Sequence, residues 1–487
     1  MGGWEFHGAV PRLGQPRPST APATGSSASG LKSDAPTPDT TNTPSSSSAA
    51  GQPRCFELVS PMNPYSRRPV PCHLEKTVKK PLARPKNASL NGKMLKSAAG
   101  SSVPRGLDVT LTCRAKNEEI CNKARSSFEM ASAIIGNVLV LNEPLTVNAT
   151  IYPFCAENSD LCSKEFQLLG GASPARTMLR KDDDGFYRIY PQSLVKQLNH
   201  TQHPSYGSFD ISAEFNADGN FWFQEDGAIK KGQSDFLFVV VHEMIHGLGF
   251  TTSWADYINK IPSAITPNPL SPDADPLDTD TFRFDGFFEN AFDRHLVQVP
   301  SMVPLSNLTR VLNRFNGGIG TVYKDQIEFI NKLTQSPEYE MAARAFNLST
   351  TRGSLGFLPS DSVSGNDVVL METNLKSGFV QGSSISHVEY QTYSNTPDFL
   401  MRYLQDPGTL LQQDIEGSGN YAGGAIGPKL IRCLQTLGYR INKNPQRIAM
   451  YQIQSESGAD SMTALRGYAS WHASLAAVAA VTLAALL

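Results

Sequence analysis

The chain has 487 residues and no basic stripe, no internal repeat and no CxxC pair. Its net charge is −2 and its pI is about 6.5, so nothing in the charge balance points to nucleic acid. Without CxxC, the usual cysteine-rich zinc modules are excluded, and disulfides are the favoured use of cysteine. The N-terminal stretch "MGGWEFHGAVPRLGQPRPST" has no apolar core of a signal peptide. It is no myristoylation site either, because Phe6 stands where Ser or Thr is required.

What is present pulls the other way. There are seven cysteines: Cys55, Cys72, Cys113, Cys121, Cys155, Cys162 and Cys433. Two pairs, Cys113/Cys121 and Cys155/Cys162, are close in sequence, and the odd count leaves one thiol over. Five N-x-[ST] sequons, at Asn87, Asn148, Asn199, Asn307 and Asn347, add to the case for the secretory pathway. The last residues, "ASLAAVAAVTLAALL", are apolar and follow a polar spacer with small residues at Ser457, Gly458 and Ala459. That order fits a GPI-attachment signal better than a tail anchor, because the run is short and no basic residue follows. An extracellular or cell-surface protein is expected, membrane-held by a GPI anchor, with its true leader upstream of this start.

Four segments follow. Residues 1–52, rich in Ser, Thr, Pro, Ala and Gly, are expected to be disordered. Residues 53–105 read as a linker or a pro-segment. Residues 106–450 read as one globular domain, and 451–487 as spacer and anchor signal. Within the domain, "CNKARSSFEMASAII" has helical spacing and "LTVNATIYPF" and "FDISAEFNAD" read as strands, the latter closed by a turn at Asp218-Gly219.

The chemistry lies in "VVVHEMIHGLGF", residues 239–250. The Ser234-Asp235 pair can cap a helix there, and Gly249 can end it. Positions four apart share a helix face, so His242 and His246 can aim at one ion. Zinc takes imidazole nitrogen well, and Glu243 between them can serve as general base. Two histidines and a glutamate on an apolar helix would be costly to bury without such a use.

A third ligand is needed. The compact extension HExxHxxGxxH fails, because Gly249 is present but position 252 is Thr252. "DGFFENAFDRHL" offers Glu289, Asp293 and His295, although it also reads as an ordinary amphipathic helix. "GSSISHVEYQTYSNTPDFLMRY" offers His387, followed by Met401 and Tyr403. His200 and His203 lie beside the Asn199 sequon and read as exposed.

HEMIHGLGF, an insertion over 250–386, then "SHVE…DFLM" resembles the leishmanolysin family of metzincins. The late stretch "LIRCLQTLGYRIN" resembles the C-terminal helix and Gly-Tyr ending of relatives of that family. The resemblance implies an α+β zincin: an N-terminal twisted sheet with helices, an active-site helix ending at Gly249, and an irregular C-terminal subdomain. It implies His242, His246 and His387 as zinc ligands, Glu243 as base, and Met401 as the methionine beneath the metal. The departures are Val388 after the third histidine, Arg402 after the methionine, the length of the insertion, and the lack of a cysteine-rich C-terminal domain.

The expected activity is zinc endopeptidase, acting on peptide or protein substrates as a monomer. The rival is an inactive or non-peptidase surface glycoprotein. An extended substrate would pair with an edge strand, with "ISAEFNA" as the candidate. A thiolate from Cys55 or Cys72 could block the zinc, although a mutual disulfide fits better. The Asp-rich "SPDADPLDTDTFRFDG" could hold calcium or simply be a solvated loop.

Overall fold

The computed structural model describes residues 4–5, 54–60, 63–75, 106–157, 168–198, 203–258, 263–269, 281–315, 318–362 and 367–448. All fall in the first of two units, Met1–Ile448. The expectations for residues 6–52 and 451–487, for Asn87 and Asn199, for His200 and for most of the Asp-rich stretch lie outside the described residues.

The fold is mixed α+β, with several sheets and, among the described residues, ten α-helices. One four-stranded sheet organises the N-terminal part. Its order is β3 (Leu107–Cys113), β4 (Leu145–Tyr152), β8 (Ile211–Asn216) and β5 (Gly170–Pro174). The first three run parallel and β5 is antiparallel. Val109, Val147, Ala149, Ile151, Ala213 and Phe215 alternate onto the buried face. Thr110, Asn148, Thr150, Ser212 and Glu214 take the other, so the Asn148 sequon sits half-buried on a central strand.

The buried face is covered by two helices. The first, α1 (Glu118–Val138), is capped by Asn117, whose side chain accepts from the Glu119 amide, and its first turn carries two acids that suit the helix dipole. The second, α2 (Phe236–Gly247), is capped by Asp235, which accepts from the Leu237 amide. Phe128 of α1, Phe215 of β8 and Phe236 of α2 meet edge to face, with centroids 5.4–6.1 Å apart. All three are buried, and each such side chain contributes about 2–3 kcal/mol. Gly247 lets the helix lie directly on β8, since a Cβ there would fall 2.5 Å from the Ile211 side chain.

Within residues 53–105, read above as a linker or a pro-segment, β1 (Arg54–Ser60) and β2 (Asn63–Val70) form a hairpin. Its β1 strand pairs with β6 (Arg176–Lys181), within a five-stranded sheet that continues to β7 (Tyr187–Pro191) and β9 (Glu289–Asn290). Two expectations are corrected. "ISAEFNA" is not an edge strand: β8 lies between β4 and β5, and among the described residues the edges of this sheet are β3 and β5. "DGFFENAFDRHL" is not an amphipathic helix. It forms β9, a 3-10 turn at Asp293–His295 and the start of β10 (Leu296–Gln298), because Phe287, Phe288 and Phe292 each pack into the core and Glu289 is held by buried partners.

The cysteines are mostly bridged. Cys55 joins Cys72 and Cys113 joins Cys121, and Cys155 is disulfide-bonded too. The Cys55–Cys72 bridge removes the idea of a thiolate on the metal from either residue. Cys433 is a buried free thiol in the helix α5 (Pro428–Leu437).

The described residues between 250 and 386 are folded, with helices α3 (Ser306–Leu312) and α4 (Tyr339–Ser349) and a four-stranded sheet that includes β10 and β11 (Leu355–Phe357). Beyond it, residues 372–403 are mostly turns, with a single helical turn at Tyr390–Tyr393 and a 3-10 turn at Phe399–Met401.

Candidate metal centre

His242 and His246 lie on one face of α2, and the turn-rich segment brings His387 to them. All three are buried. Their Nε2 atoms form a near-equilateral triangle: 3.2 Å between His242 and His387, 3.2 Å between His242 and His246, and 3.1 Å between His246 and His387.

The other ring nitrogens decide the meaning of that triangle. Nδ1 of His242 is 2.7 Å from the Leu400 carbonyl, Nδ1 of His246 is 2.8 Å from the Phe250 carbonyl, and Nδ1 of His387 is 3.0 Å from the Ser383 carbonyl. A carbonyl only accepts, so each Nδ1 carries the proton and each Nε2 presents a lone pair. Burial pushes His242 well below the ordinary histidine range, helped by its neighbour His246, and pushes His246 down to about 4. With each Nδ1 turned to a carbonyl, the three Nε2 lone pairs face one another.

A divalent ion fits that arrangement. Nitrogens on a tetrahedral zinc at about 2.0–2.1 Å stand roughly 3.3–3.4 Å apart. The observed spacing is within a few tenths of this, and carbonyl-anchored Nδ1 groups are the usual support for ligating histidines. Three protein ligands would leave a fourth position open on such an ion, as catalytic zinc sites require.

Glu243 is buried on the same helix. Among the described residues its Oε1 has no hydrogen-bond partner. Burial raises its carboxyl to about 8, while the backbone amide of Ala172 on β5 pulls the other way. The β5 edge strand thus runs past the candidate base.

The loop around the centre is pinned from behind. Gly249 ends α2 in a left-handed conformation, φ +101°, and a Cβ there would meet Pro191 at 2.8 Å. Buried Asp293 accepts from Thr252 Oγ1 at 2.5 Å, from the Ser253 amide at 2.8 Å and from the Asn290 amide at 2.8 Å. The Thr252 amide in turn donates to Ser386 Oγ, next to His387. Tyr439, after α5, donates to the Leu248 carbonyl at the end of α2. Val388 donates its amide to the Met401 carbonyl.

Met401 is fully buried in the 3-10 turn whose Leu400 holds His242. Arg402, the departure from the expected small residue, is buried there too and donates to the Phe399 carbonyl, Ser394 Oγ and Asp406. Tyr403 packs near Tyr390.

The other candidates are elsewhere. Glu289 accepts from Arg188, Ser306 and Thr309, so it belongs to a buried ionic network and is not a ligand. His295 packs on Phe357 and lies outside the histidine cluster. His203 meets the Tyr206 hydroxyl. Asp293 serves as the clamp just described. Its spacing in sequence gave no sign of that role, nor did Ala172 in the featureless "GGASP" reveal the edge strand.

The site lies within residues 63–461, which match a family model described as SPBPB7E8-like. A relative from the fission yeast Schizosaccharomyces pombe, "Uncharacterized protein PB7E8.01", is 29% identical over 346 residues. That match covers 67% of this chain and 60% of the yeast protein, so the chain spans well under two thirds of the relative's length. No solved structure matches the chain. The family match takes in most of the sequence, the three histidines and Glu243 included, and the chain belongs to the SPBPB7E8-like family.

Proposed function

We propose that the chain is a zinc-dependent endopeptidase, with His242, His246 and His387 holding the metal and Glu243 acting as general base. The observation that carries it is the convergence of three Nε2 lone pairs beside a buried carboxylate oxygen that has no partner among the described residues. Zinc at that position would supply Lewis acidity, polarising a peptide carbonyl and acidifying water. Glu243 would accept a proton at Oε1 and return it to the leaving amine. The β5 edge, Gly170–Pro174, would hold an extended peptide by main-chain hydrogen bonds. The α2 helix and the 372–403 segment keep water away from the backs of the three rings.

The proposal takes the leishmanolysin-like metzincins as its guide, through the distant third histidine and the turn bearing Met401. The disulfides and the exposed sequons at Asn307 and Asn347 support an extracellular or cell-surface setting. A GPI anchor and a monomeric state are part of the same proposal. No helix among the described residues is long and apolar enough to cross a membrane.

The test is metal analysis together with turnover of casein and mixed peptides. One zinc per chain, with hydrolysis that a chelator abolishes and zinc restores, supports the proposal. A zinc-loaded chain that cleaves no peptide bond would overturn it.

A further inference from the structure

His242 and His246 reach the centre on a helix, whose geometry fixes their directions. His387 has no such support, because residues 381–387 form turns and bends. Something else must aim it.

The support begins in the four-stranded sheet. Its last strand, β12 (Val369–Leu370), pairs with β11. The chain leaving β12 runs antiparallel to the histidine segment: Met371 bridges Val388, and the Glu389 amide donates to the Leu370 carbonyl at 3.0 Å. Glu372 comes next. Its amide donates to the His387 carbonyl at 2.7 Å, and its carbonyl accepts from the Ile385 amide at 2.9 Å. Its carboxylate accepts from the Tyr390 amide at Oε2, 3.0 Å, and from the Asn374 amide at Oε1, 2.8 Å. One residue, 2% exposed, thus holds the chain before His387, at it and after it. Any residue could make the backbone bonds. The other two need a side chain with two acceptor oxygens, of which glutamine has one and alanine none.

A second observation lies in the segment so held. Ile385 is fully buried and has φ +66°, a left-handed conformation that β-branched residues rarely adopt. Such a conformation persists where the surroundings over-determine it, and ligand clamps are among the places where it collects. Two positions earlier, the Ser383 carbonyl fixes Nδ1 of His387.

We infer that Glu372 is a positioning residue for the metal centre, acting through His387 to hold the third nitrogen in place before an ion arrives. The ligand cluster consists of the three histidines, so Glu372 is not itself a ligand. A ligand ordered in advance binds more tightly, because less freedom is lost on binding. The inference deepens the zinc proposal and rests on it for the identity of the ion.

The experiment uses the full chain, freed of metal and titrated with zinc against a chromophoric chelator. The visible absorption of the cobalt(II)-loaded chain is recorded beside it, since that spectrum reads the number and arrangement of the ligands. Glu372→Ala should weaken zinc binding about ten- to a hundredfold and move the cobalt spectrum towards that of His387→Ala. Glu372→Gln, which keeps one acceptor, should fall between Glu372→Ala and wild type, and it serves if Glu372→Ala does not fold. Glu289→Gln is the control: it disturbs a buried acid outside the cluster and should lose stability while keeping the wild-type affinity and spectrum. Wild-type affinity and spectrum in Glu372→Ala, or in Glu372→Gln should the alanine variant not fold, would make Glu372 a merely structural residue and overturn the inference. If His387→Ala itself binds zinc as wild type does, the zinc proposal falls and this inference with it, so that one variant tells the two failures apart.

Discussion

The Leu400 carbonyl lies 2.7 Å from Nδ1 of His242, across 158 positions of sequence. The turn that carries Met401 therefore sets the tautomer and ring angle of His242, the first candidate ligand on the helix. His387 and this turn are joined in the same way, since the Val388 amide donates to the Met401 carbonyl. The centre is one connected object, and its parts can be tested separately.

Removing a ligand should remove the metal. His387→Ala is expected to lower zinc content from one equivalent to near zero while the far-ultraviolet circular dichroism stays close to wild type. Plasma emission spectrometry on the dialysed protein reads this directly. A variant that retained its zinc would place the third ligand elsewhere.

Glu243→Gln separates binding from chemistry. It should keep the zinc and lose peptide hydrolysis by about a hundred- to ten-thousandfold, the usual worth of a general base. Parallel measurement of metal content and kcat decides the matter, and unchanged turnover would remove Glu243 from its role.

Asp293 should make stability depend on pH. Burial holds its carboxyl up at about 7, against an ordinary 3.8. Between those values the folded chain keeps a proton that the unfolded chain has released, so stability falls as pH rises from about 4 to about 7. The span is on the order of 4 kcal/mol. Asp293→Asn should flatten that slope in urea titrations, at a cost of about 1–3 kcal/mol from lost acceptors. It should also weaken zinc binding about ten- to a hundredfold by loosening the Thr252 and Ser386 contacts behind His387. An unaltered slope would mean that another carboxyl carries the effect.

Glu289 is the control for the ligand assignment. Its carboxylate is 2.9 Å from Arg188 Nε, both side chains being buried. Glu289→Gln should cost about 1–3 kcal/mol, since Arg188 loses one charged partner but keeps Asp182 and Asp184. The surviving folded protein should still bind one zinc, as measured by the same metal analysis.

How much of this could be read beforehand depended on how local the signal was. HEMIH declares itself because a helix turns four residues into one face, and the Asp235 cap and Gly249 stop flank it. His387 was legible only through its resemblance to a family pattern, since nothing in "SSISHVE" by itself demands a metal. The edge strand was missed because "GGASP" has no alternation of apolar and polar residues to display. "DGFFENAFDRHL" misled because its apolar residues have helical spacing, whereas three phenylalanines and a buried ionic network decided its shape. The clamp at Asp293 joins residues about forty apart, and no short pattern encodes such a contact.

The Cys55–Cys72 bridge closes the 54–70 hairpin on itself and not on the rest of the fold. A single cut anywhere between residues 76 and 105 would thus yield two polypeptides, the smaller held by strand pairing to Arg176–Lys181 and by Arg67 on Pro174. Without that peptide, β6 would present a bare edge to any other chain able to pair with it.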